Sequence, residues 1–301
     1  MSNAARGALW MIAAAAALTA MAACIRYLPG FSVLLMIFLR NVINLGLMAP
    51  SLARQGSAVF RTEKLGLHAL RNAFLYSGNV AWFFGVTQIA IADVAALQFT
   101  SPLFTAIIAA FWLGERFGGH RALAIVVGFV GALIILRPGL IPVNAGSLSV
   151  LLAAFFYSCA HVVTKRLSDT ESGSTVVFYM SVTILIYSAI PAFFVWQTPT
   201  LADLPWILGL GVTGYVTHYC ITRSLACADA TFVIPFDFMR LPFSAVVGWV
   251  LFAELLDVWT ATGALIIFAA GWYSTMREAR AESAARRGDR GRGDDTSGQT
   301  R

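Results

Sequence analysis

Charged residues inside an apolar stretch are the first feature of this chain that could do chemistry. Segment 230–254 is apolar enough to cross a bilayer, yet it contains Asp237 and Arg240. With Ser244 they follow i, i+3, i+7 spacing, so a helix would place all three on one face. A charge at the centre of a membrane helix costs about 2.5–3.5 kcal/mol on insertion scales, so such charges face the protein interior and mark ligand or ion pathways. The pattern favours a binding site, with a locally neutralised Asp–Arg pair as the alternative.

A second buried charge is expected in segment 31–50, which contains Arg40 but no acidic residue. Its partner could be Asp237, Asp93, a backbone carbonyl or an anionic group on a bound solute. The first three would make Arg40 structural and the last would make it a ligand contact, and the residues alone leave these alternatives open.

Polar and aromatic side chains recur at helical spacing in several other apolar segments. In the third such segment, for example, Asn72, Tyr76 and Asn79 share one helix face. Unpaired polar groups in hydrocarbon cost several kcal/mol, so these faces must meet one another or water. The candidate substrate contacts are Arg40, Asn79, Trp82, Gln98, Tyr157, His161, His218, Asp237 and Arg240. For the amides the competing interpretation is hydrogen bonding between helices, and for the histidines it is a hydrogen-bonded core role or proton transfer.

The elements that must position these residues are membrane helices. The 301-residue chain is 58% hydrophobic and only 12% charged, whereas soluble domains are about 25% charged. Since about 20 apolar residues span a bilayer as a helix, the sequence predicts an all-α membrane protein with ten transmembrane helices. The predicted spans are 7–26, 31–50, 69–90, 93–113, 121–137, 146–165, 174–196, 204–226, 230–253 and 258–276. The charged segment 277–301 is predicted to be a disordered tail.

Basic residues are distributed unevenly between the two sides of these spans. Of the 21 Lys and Arg residues, Arg40 and Arg240 lie within spans, and only Arg26 and Arg137 lie opposite the termini. All others fall on the side that carries both termini. Basic loops stay in the cytoplasm, so both termini are predicted to be cytoplasmic. This placement explains the net charge of +6 without nucleic-acid binding.

The order of several residue types repeats in the two halves of the chain. In each half an aspartate precedes a proline-containing span, a glutamate follows it, and a glycine-containing span comes next. The residues are Asp93, Pro102, Glu115, Gly128 and Gly131 in the first half, and Asp229, Pro242, Glu254, Gly263 and Gly271 in the second. Because each half has five spans, the second is upside down relative to the first. Inverted repeats with a site between them are a transporter architecture that supports alternating access.

These motifs also carry a resemblance to a known family. The chain resembles the end of a first EamA domain at 113–116, 128–131 and 136–139. It resembles the matching part of a second domain at 235–243 and 252–254. The chain is similar to the EamA family of the drug/metabolite transporter superfamily over residues 7–276, although Ala253 stands where the family commonly has glycine. The resemblance implies two five-helix repeats, 7–139 and 146–276, and secondary transport across the inner membrane of a bacterium. Known substrates of the family include amino acids, nucleosides, riboflavin, S-adenosylmethionine and drugs.

Other function classes are disfavoured by missing motifs. An ATP-driven pump would need a Gly-x-x-x-x-Gly-Lys-[Ser/Thr] loop, and an intramembrane protease would need His-Glu-x-x-His or Gly-x-Ser-x-Gly; none is present. A channel is disfavoured by the two related halves. We therefore expect a secondary transporter of a small organic solute, with no cofactor, no metal and the lipid bilayer as surroundings. Protons are a candidate coupling ion. Import of riboflavin or S-adenosylmethionine and export of amino acids or drugs both remain open.

Overall fold

The computed structural model describes residues 3–54, 62–113, 119–138, 144–168, 171, 173–273 and 276–277. Helices make up nearly all of their regular structure. From residue 278 on, the predicted tail lies outside the described residues. The helices are α1 (Asn3–Arg26), α2 (Val33–Arg54), α3 (Leu65–Gln88), α4 (Ile91–Gln98), α5 (Ser101–Leu113), α6 (Gly119–Leu136), α7 (Ala145–Ser168), α8 (Gly173–Phe194), α9 (Leu204–Cys227), α10 (Ala230–Val233), α11 (Arg240–Phe252) and α12 (Val258–Tyr273).

The ten predicted spans correspond to these helices, with α4 and α5 forming the fourth span and α10 and α11 the ninth. Six of the spans are both long and apolar enough to cross a membrane, while α6 and α12 are apolar but shorter. The other two, α3 and α9, have 24 residues each, or about 36 Å at 1.5 Å per residue. They are less apolar because they carry polar faces. We call the end of the bundle where α1 begins the terminus side and the other end the opposite side.

The fourth span is broken, where the sequence suggested one helix over 93–113. Helix α4 ends at Gln98 and α5 begins at Ser101. Between them the backbone makes tighter turns, in which the Thr100 amide donates to the Leu97 carbonyl. Pro102, in the first turn of α5, lacks the amide that would continue the α4 ladder. The break places polar and aromatic side chains near mid-membrane depth.

The ninth span is broken as well, where the sequence suggested one helix over 230–253. A 3-10 helix, Ile234–Met239, separates α10 from α11 and carries Pro235. Asp237 lies in this 3-10 segment and Arg240 begins α11. The single helical face expected for Asp237, Arg240 and Ser244 is therefore wrong as a continuous α-helix, because proline interrupts the hydrogen-bond ladder.

Packing between the halves has the pattern of an inverted repeat. In the repeat, α1 corresponds to α7 and α3 corresponds to α9. Helix α1 packs along α9, and α7 packs along α3, so the same contact occurs twice. Helices α2 and α8, which also correspond, contact each other. Helices α6 and α12 meet at Gly131 and Gly263, where a Cβ atom on either glycine would lie within 2.8 Å of the other glycine's carbonyl oxygen. Only the lack of side chains allows this close approach.

The largest core cluster lies where α1, α2, α3, α4 and α9 converge. Its fully buried members include Ile25, Phe83, Leu97 and Leu210. Large apolar side chains such as Phe193 and Trp249 are instead exposed on the outside of the bundle, as expected for a surface that faces lipid. The polar faces are enclosed between helices.

Candidate substrate site

Arg40 lies deep in the bundle on α2. Its side chain is 6% exposed, and its guanidinium carbon is 5.1 Å from the centre of the Phe83 ring on α3. Helix α9 approaches it through Gly214, where a Cβ atom would lie 3.4 Å from the Arg40 side chain. No carboxylate among the described residues pairs with Arg40, and its enclosed Nε has no hydrogen-bond partner. A buried guanidinium held only by an aromatic face is prepared to bind an electron-rich group.

Tyr157 on α7 is held beside this arginine by α3. Its hydroxyl donates to the Asn79 Oδ1 atom at 3.0 Å. Its ring lies over Gly78, where a Cβ atom would come within 2.8 Å of a ring carbon. The guanidinium charges of Arg40 and Arg240 both act electrostatically on Tyr157. Gly78 thus lets an aromatic wall approach two cationic side chains.

Asp237 and Arg240 form an ion pair with each other. The Arg240 guanidinium also lies 5.3 Å from the centre of the Phe99 ring, next to the break in the fourth span. Phe99 in turn stacks on Phe238 at 5.1 Å. The two broken spans therefore meet through an aromatic and cationic contact. The geometry agrees with the alternative in which Asp237 and Arg240 neutralise each other locally.

Trp82 and Gln98 are both buried, at 6% and 9% exposure. Trp82 borders an enclosed cavity of about 10 Å³ that Arg240 and Ser244 also line. A metabolite pocket is usually about 300–1,000 Å³, so this cavity must widen before a solute fits. Gln98 has an enclosed Oε1 atom with no hydrogen-bond partner among the described residues.

The two histidines of the predicted site lie between the central arginine and the terminus side. Both side chains are exposed. His161 follows Tyr157 by one turn of α7, and His218 follows Gly214 by one turn of α9. The charge of Arg71 acts on both histidines. They therefore lie along the way from the centre to the terminus side rather than at Arg40 itself.

A polar cluster on the first turns of α3 was missed as a site by the sequence reasoning. Arg71, counted there as a loop charge, is only 9% exposed and donates to the Thr164 hydroxyl on α7 at 2.8 Å. Asn72 is fully buried and donates to the Tyr179 carbonyl on α8. His68 is 1% exposed and stacks on the Tyr179 ring at 4.8 Å, and its ring nitrogens have no hydrogen-bond partner among the described residues. The available signal was that Arg71 directly precedes the polar face of Asn72, Tyr76 and Asn79.

At the opposite side of the bundle, a glutamate joins the ends of several helices. Glu254 accepts a hydrogen bond from Arg26 at 2.7 Å and another from the Ile91 amide, the first of α4, at 3.0 Å. Arg26 also donates to the Val86 and Ile89 carbonyls at the end of α3. Glu254 thus caps the N-terminus of α4 and pairs with an arginine. Its counterpart Glu115 lies outside the described residues.

Local backbone geometry directs Glu254 into this position. Ala253 ends α11 in the left-handed conformation, with φ 55°. The Glu254 amide then donates to the Gly248 carbonyl, and a Cβ atom on Gly248 would lie 2.9 Å from the Glu254 carboxylate. A left-handed end of this kind favours glycine. The left-handed conformation explains why the family motif commonly has glycine at the position that Ala253 occupies in this chain.

A larger open cleft, of about 790 Å³, lies elsewhere, at the ends of α1, α9 and α10 on the terminus side. Its lining is mostly small, with Asp229 as its charged residue. No group of His, Cys, Asp and Glu in the described part of the chain could hold a metal ion. We place the candidate site at Arg40 rather than in this cleft, because polar side chains from the three helices α2, α3 and α7 converge there.

The predicted site residues thus form three groups. Arg40, Asn79 and Tyr157 are together at the centre; Trp82, Gln98, Asp237 and Arg240 line the junction of the broken spans; and His161 and His218 lie toward the terminus side. Arg40 makes no ion pair with Asp237, which is bonded to Arg240, nor with Asp93, which accepts a hydrogen bond from Thr260 at 2.7 Å. Two of the four partners considered for Arg40 are therefore occupied elsewhere.

Comparison with known proteins identifies the family that has this architecture. The model of the EamA-like transporter family matches residues 5–137 and again 144–276. A riboflavin transporter of Vibrio cholerae is 34% identical over 88% of this chain and 89% of its own length. An S-adenosylmethionine uptake transporter of Rickettsia bellii is 29% identical over 82% of this chain and 84% of its own. One solved crystal structure matches with a TM-score of 0.60 at 16% identity, covering 93% of this chain and 98% of that one, which supports the fold alone.

The two matches of the family model cover nearly all the described helices, and the relatives carry the names of small-metabolite transporters. The protein is thus a multi-pass membrane protein that moves a small organic metabolite. By these matches, the chain belongs to the EamA-like transporter family.

Proposed function

We propose that this protein imports a flat, heteroaromatic, uncharged or anionic metabolite, with riboflavin as the best candidate, across the bacterial inner membrane. The observation that carries the proposal is Arg40, a buried cation that has an aromatic ring beneath it and no acidic partner within the described residues. The identity with the riboflavin transporter of Vibrio cholerae supports the same substrate.

The energetic argument begins with the unpaired charge. Removing a guanidinium from water without a partner is costly, with an effective penalty of several kcal/mol per ion. Because Asp93 and Asp237 are engaged with other residues, a bound solute is the natural source of electron-rich oxygens for Arg40. The isoalloxazine ring of riboflavin supplies both carbonyl oxygens for Arg40 and a flat face for Tyr157.

S-adenosylmethionine is the second candidate, because its uptake transporter in Rickettsia bellii is also similar to this chain. Its sulfonium adds a positive charge that would need an acidic or aromatic partner. Among the described residues, the polar interior contains Arg40, Arg71 and Arg240. Asp237 and Asp93 are the acids set against them, so the balance is positive. Electrostatics therefore favour riboflavin over a sulfonium compound.

Orientation and direction are part of the proposal. The excess of Lys and Arg on the terminus side supports cytoplasmic termini. The name of the Rickettsia relative specifies uptake, which supports import over export. The two broken spans supply the points at which the inverted halves could rearrange for alternating access.

Ligand-dependent thermal stabilisation tests the substrate. A ligand that binds only the folded protein raises the unfolding midpoint by mass action. We expect riboflavin to stabilise the wild type and to be taken up by proteoliposomes, and S-adenosylmethionine to do neither. Arg40→Gln should lose both effects, whereas Arg40→Lys should retain part of them. Stabilisation by S-adenosylmethionine or an amino acid, with none by riboflavin, would refute this assignment.

A further inference from the structure

The cluster around Arg71 is separate from the central site and is not explained by it. Arg71 lies two turns of α3 from Asn79, toward the terminus side. Its Nε atom donates to Thr164 and one terminal nitrogen donates to Asn72 at 3.1 Å. Among the described residues no acceptor bonds to the other terminal nitrogen and no carboxylate pairs with the guanidinium. Arg71 is thus a second buried cation without an acid.

The surroundings hold this guanidinium in place from three helices. Thr164 fixes it from α7, and Asn72 is itself tied to the Tyr179 carbonyl on α8. His68, one turn earlier on α3, is 1% exposed, and neither of its ring nitrogens has a partner in the described part of the chain. Among the described residues, the ring nitrogens of His68 and one terminal nitrogen of Arg71 are therefore left without a partner. Buried polar groups that lack partners are destabilising, so a ligand with acceptor oxygens would complete the cluster.

Two accessible histidines connect this cluster with the centre. The charge of Arg71 acts on both His161 of α7 and His218 of α9, and the charge of Arg40 also acts on His218. The exposed imidazoles therefore lie in the space that the two arginines share. A solute that leaves Arg40 toward the terminus side meets Arg71 next.

We infer that Arg71 is a second binding position for the transported solute, which holds its electron-rich oxygen edge on the terminus side before release. The inference rests on the proposed function, because it assigns this position to the same solute that Arg40 binds. The shared ligand chemistry is an anionic or carbonyl-rich edge, which a free cytosolic phosphate would also offer.

The experiment compares Arg71→Gln with Thr164→Val, using riboflavin exchange in proteoliposomes of known orientation. Thr164→Val removes the hydrogen bond that joins Arg71 to α7 but leaves the charge. A position on the terminus side predicts that Arg71→Gln raises the half-saturating riboflavin concentration on that side about tenfold and leaves the value on the other side within about twofold. Thr164→Val keeps the Arg71 charge, so it should raise the terminus-side value by less than Arg71→Gln does and leave the value on the other side within about twofold. An unchanged terminus-side value in Arg71→Gln, or an equal rise in both variants, would overturn the inference, since the latter means that Arg71 only joins helices.

Inorganic phosphate separates this inference from the proposed function. If the wild type neither binds nor exchanges riboflavin, the proposed substrate is wrong, and phosphate then probes Arg71 alone. Thermal stabilisation by phosphate that persists in Arg40→Gln and disappears in Arg71→Gln would support an oxygen-binding position at Arg71. No stabilisation of the wild type would overturn it in that case. Phosphate stabilisation that is lost in Arg71→Gln, while riboflavin exchange by that variant stays normal, would identify a site for a free anion. That outcome would also overturn the inference.

Discussion

Arg26 and Arg40 lie on consecutive helices of the same half, yet their surroundings are opposite. Arg26 donates to two carbonyls at the end of α3 and to the Glu254 carboxylate. Arg40 has no acidic partner among the described residues and rests on an aromatic ring. The comparison teaches that pairing with an acidic residue, rather than burial or charge alone, distinguishes two kinds of arginine. One kind holds helices together and the other is available to bind a ligand.

The physical reason lies in where each arginine meets the helix ends. Arg26 reaches the last carbonyls of α3, and Glu254 reaches the first amide of α4. Helix ends expose unpaired backbone groups, negative at the C-terminus and positive at the N-terminus. The ion pair therefore satisfies both ends at once. Arg40 is mid-helix, where backbone groups are already bonded.

The largest expected effect comes from Arg40→Gln. Loss of a charge-assisted contact in a desolvated site should lower riboflavin affinity by about 2–5 kcal/mol, roughly thirtyfold or more. The midpoint of thermal unfolding without ligand should stay the same or rise, because an unpaired buried charge is removed. Ligand titration and thermal unfolding of the same preparation measure the two effects. If Arg40→Gln lowered the stability of the unliganded protein as much as Arg26→Gln does, the contrast between the unpaired and the paired arginine would be refuted.

The next effect is the stability lost when the Arg26–Glu254 pair is broken. Both side chains are about one-fifth exposed, so we expect Arg26→Gln or Glu254→Gln to cost about 2 kcal/mol rather than the 3–5 kcal/mol of a fully buried pair. A double-mutant cycle on the unfolding midpoint should give a coupling energy of about 1–2 kcal/mol. Additive effects would show that the two residues act independently.

Asp237→Asn would convert a paired arginine into an unpaired one. Arg240 would then resemble Arg40, so we expect a loss of about 1–3 kcal/mol in stability. The double variant Asp237→Asn with Arg240→Gln should recover much of it and also retain transport if the pair is structural. Recovery of stability without recovery of transport would instead place the pair in the substrate site.

The smallest expected effect is a gain from Ala253→Gly. Ala253 has φ 55°, a conformation that costs a non-glycine residue about 1–2 kcal/mol. The greater flexibility of glycine in the unfolded chain offsets about 0.4–1 kcal/mol of that. The thermal midpoint should therefore rise slightly, with transport unchanged. Ala226→Gly, inside α9, is a matched control that should lower it.

Much of the architecture could be predicted from the residues in order. The spans follow from the number of apolar residues that a bilayer requires, and polar faces at Asn79, Tyr157 and His218 follow from helical spacing. The breaks in the fourth and ninth spans, next to Pro102 and Pro235, were not predicted. Proline bends some membrane helices and breaks others, and the outcome depends on which neighbours satisfy the freed backbone groups.

The sequence by itself determined that this chain is a membrane protein with two related halves, because hydropathy and residue order are local properties. Only the tertiary structure decided which charges are paired. Arg26 meets Glu254 across 228 positions of the chain, and Arg71 proved to be enclosed between α3 and α7 rather than solvated. Such pairings depend on how distant helices pack, because electrostatic attraction acts over a few ångströms of space whatever the distance along the chain.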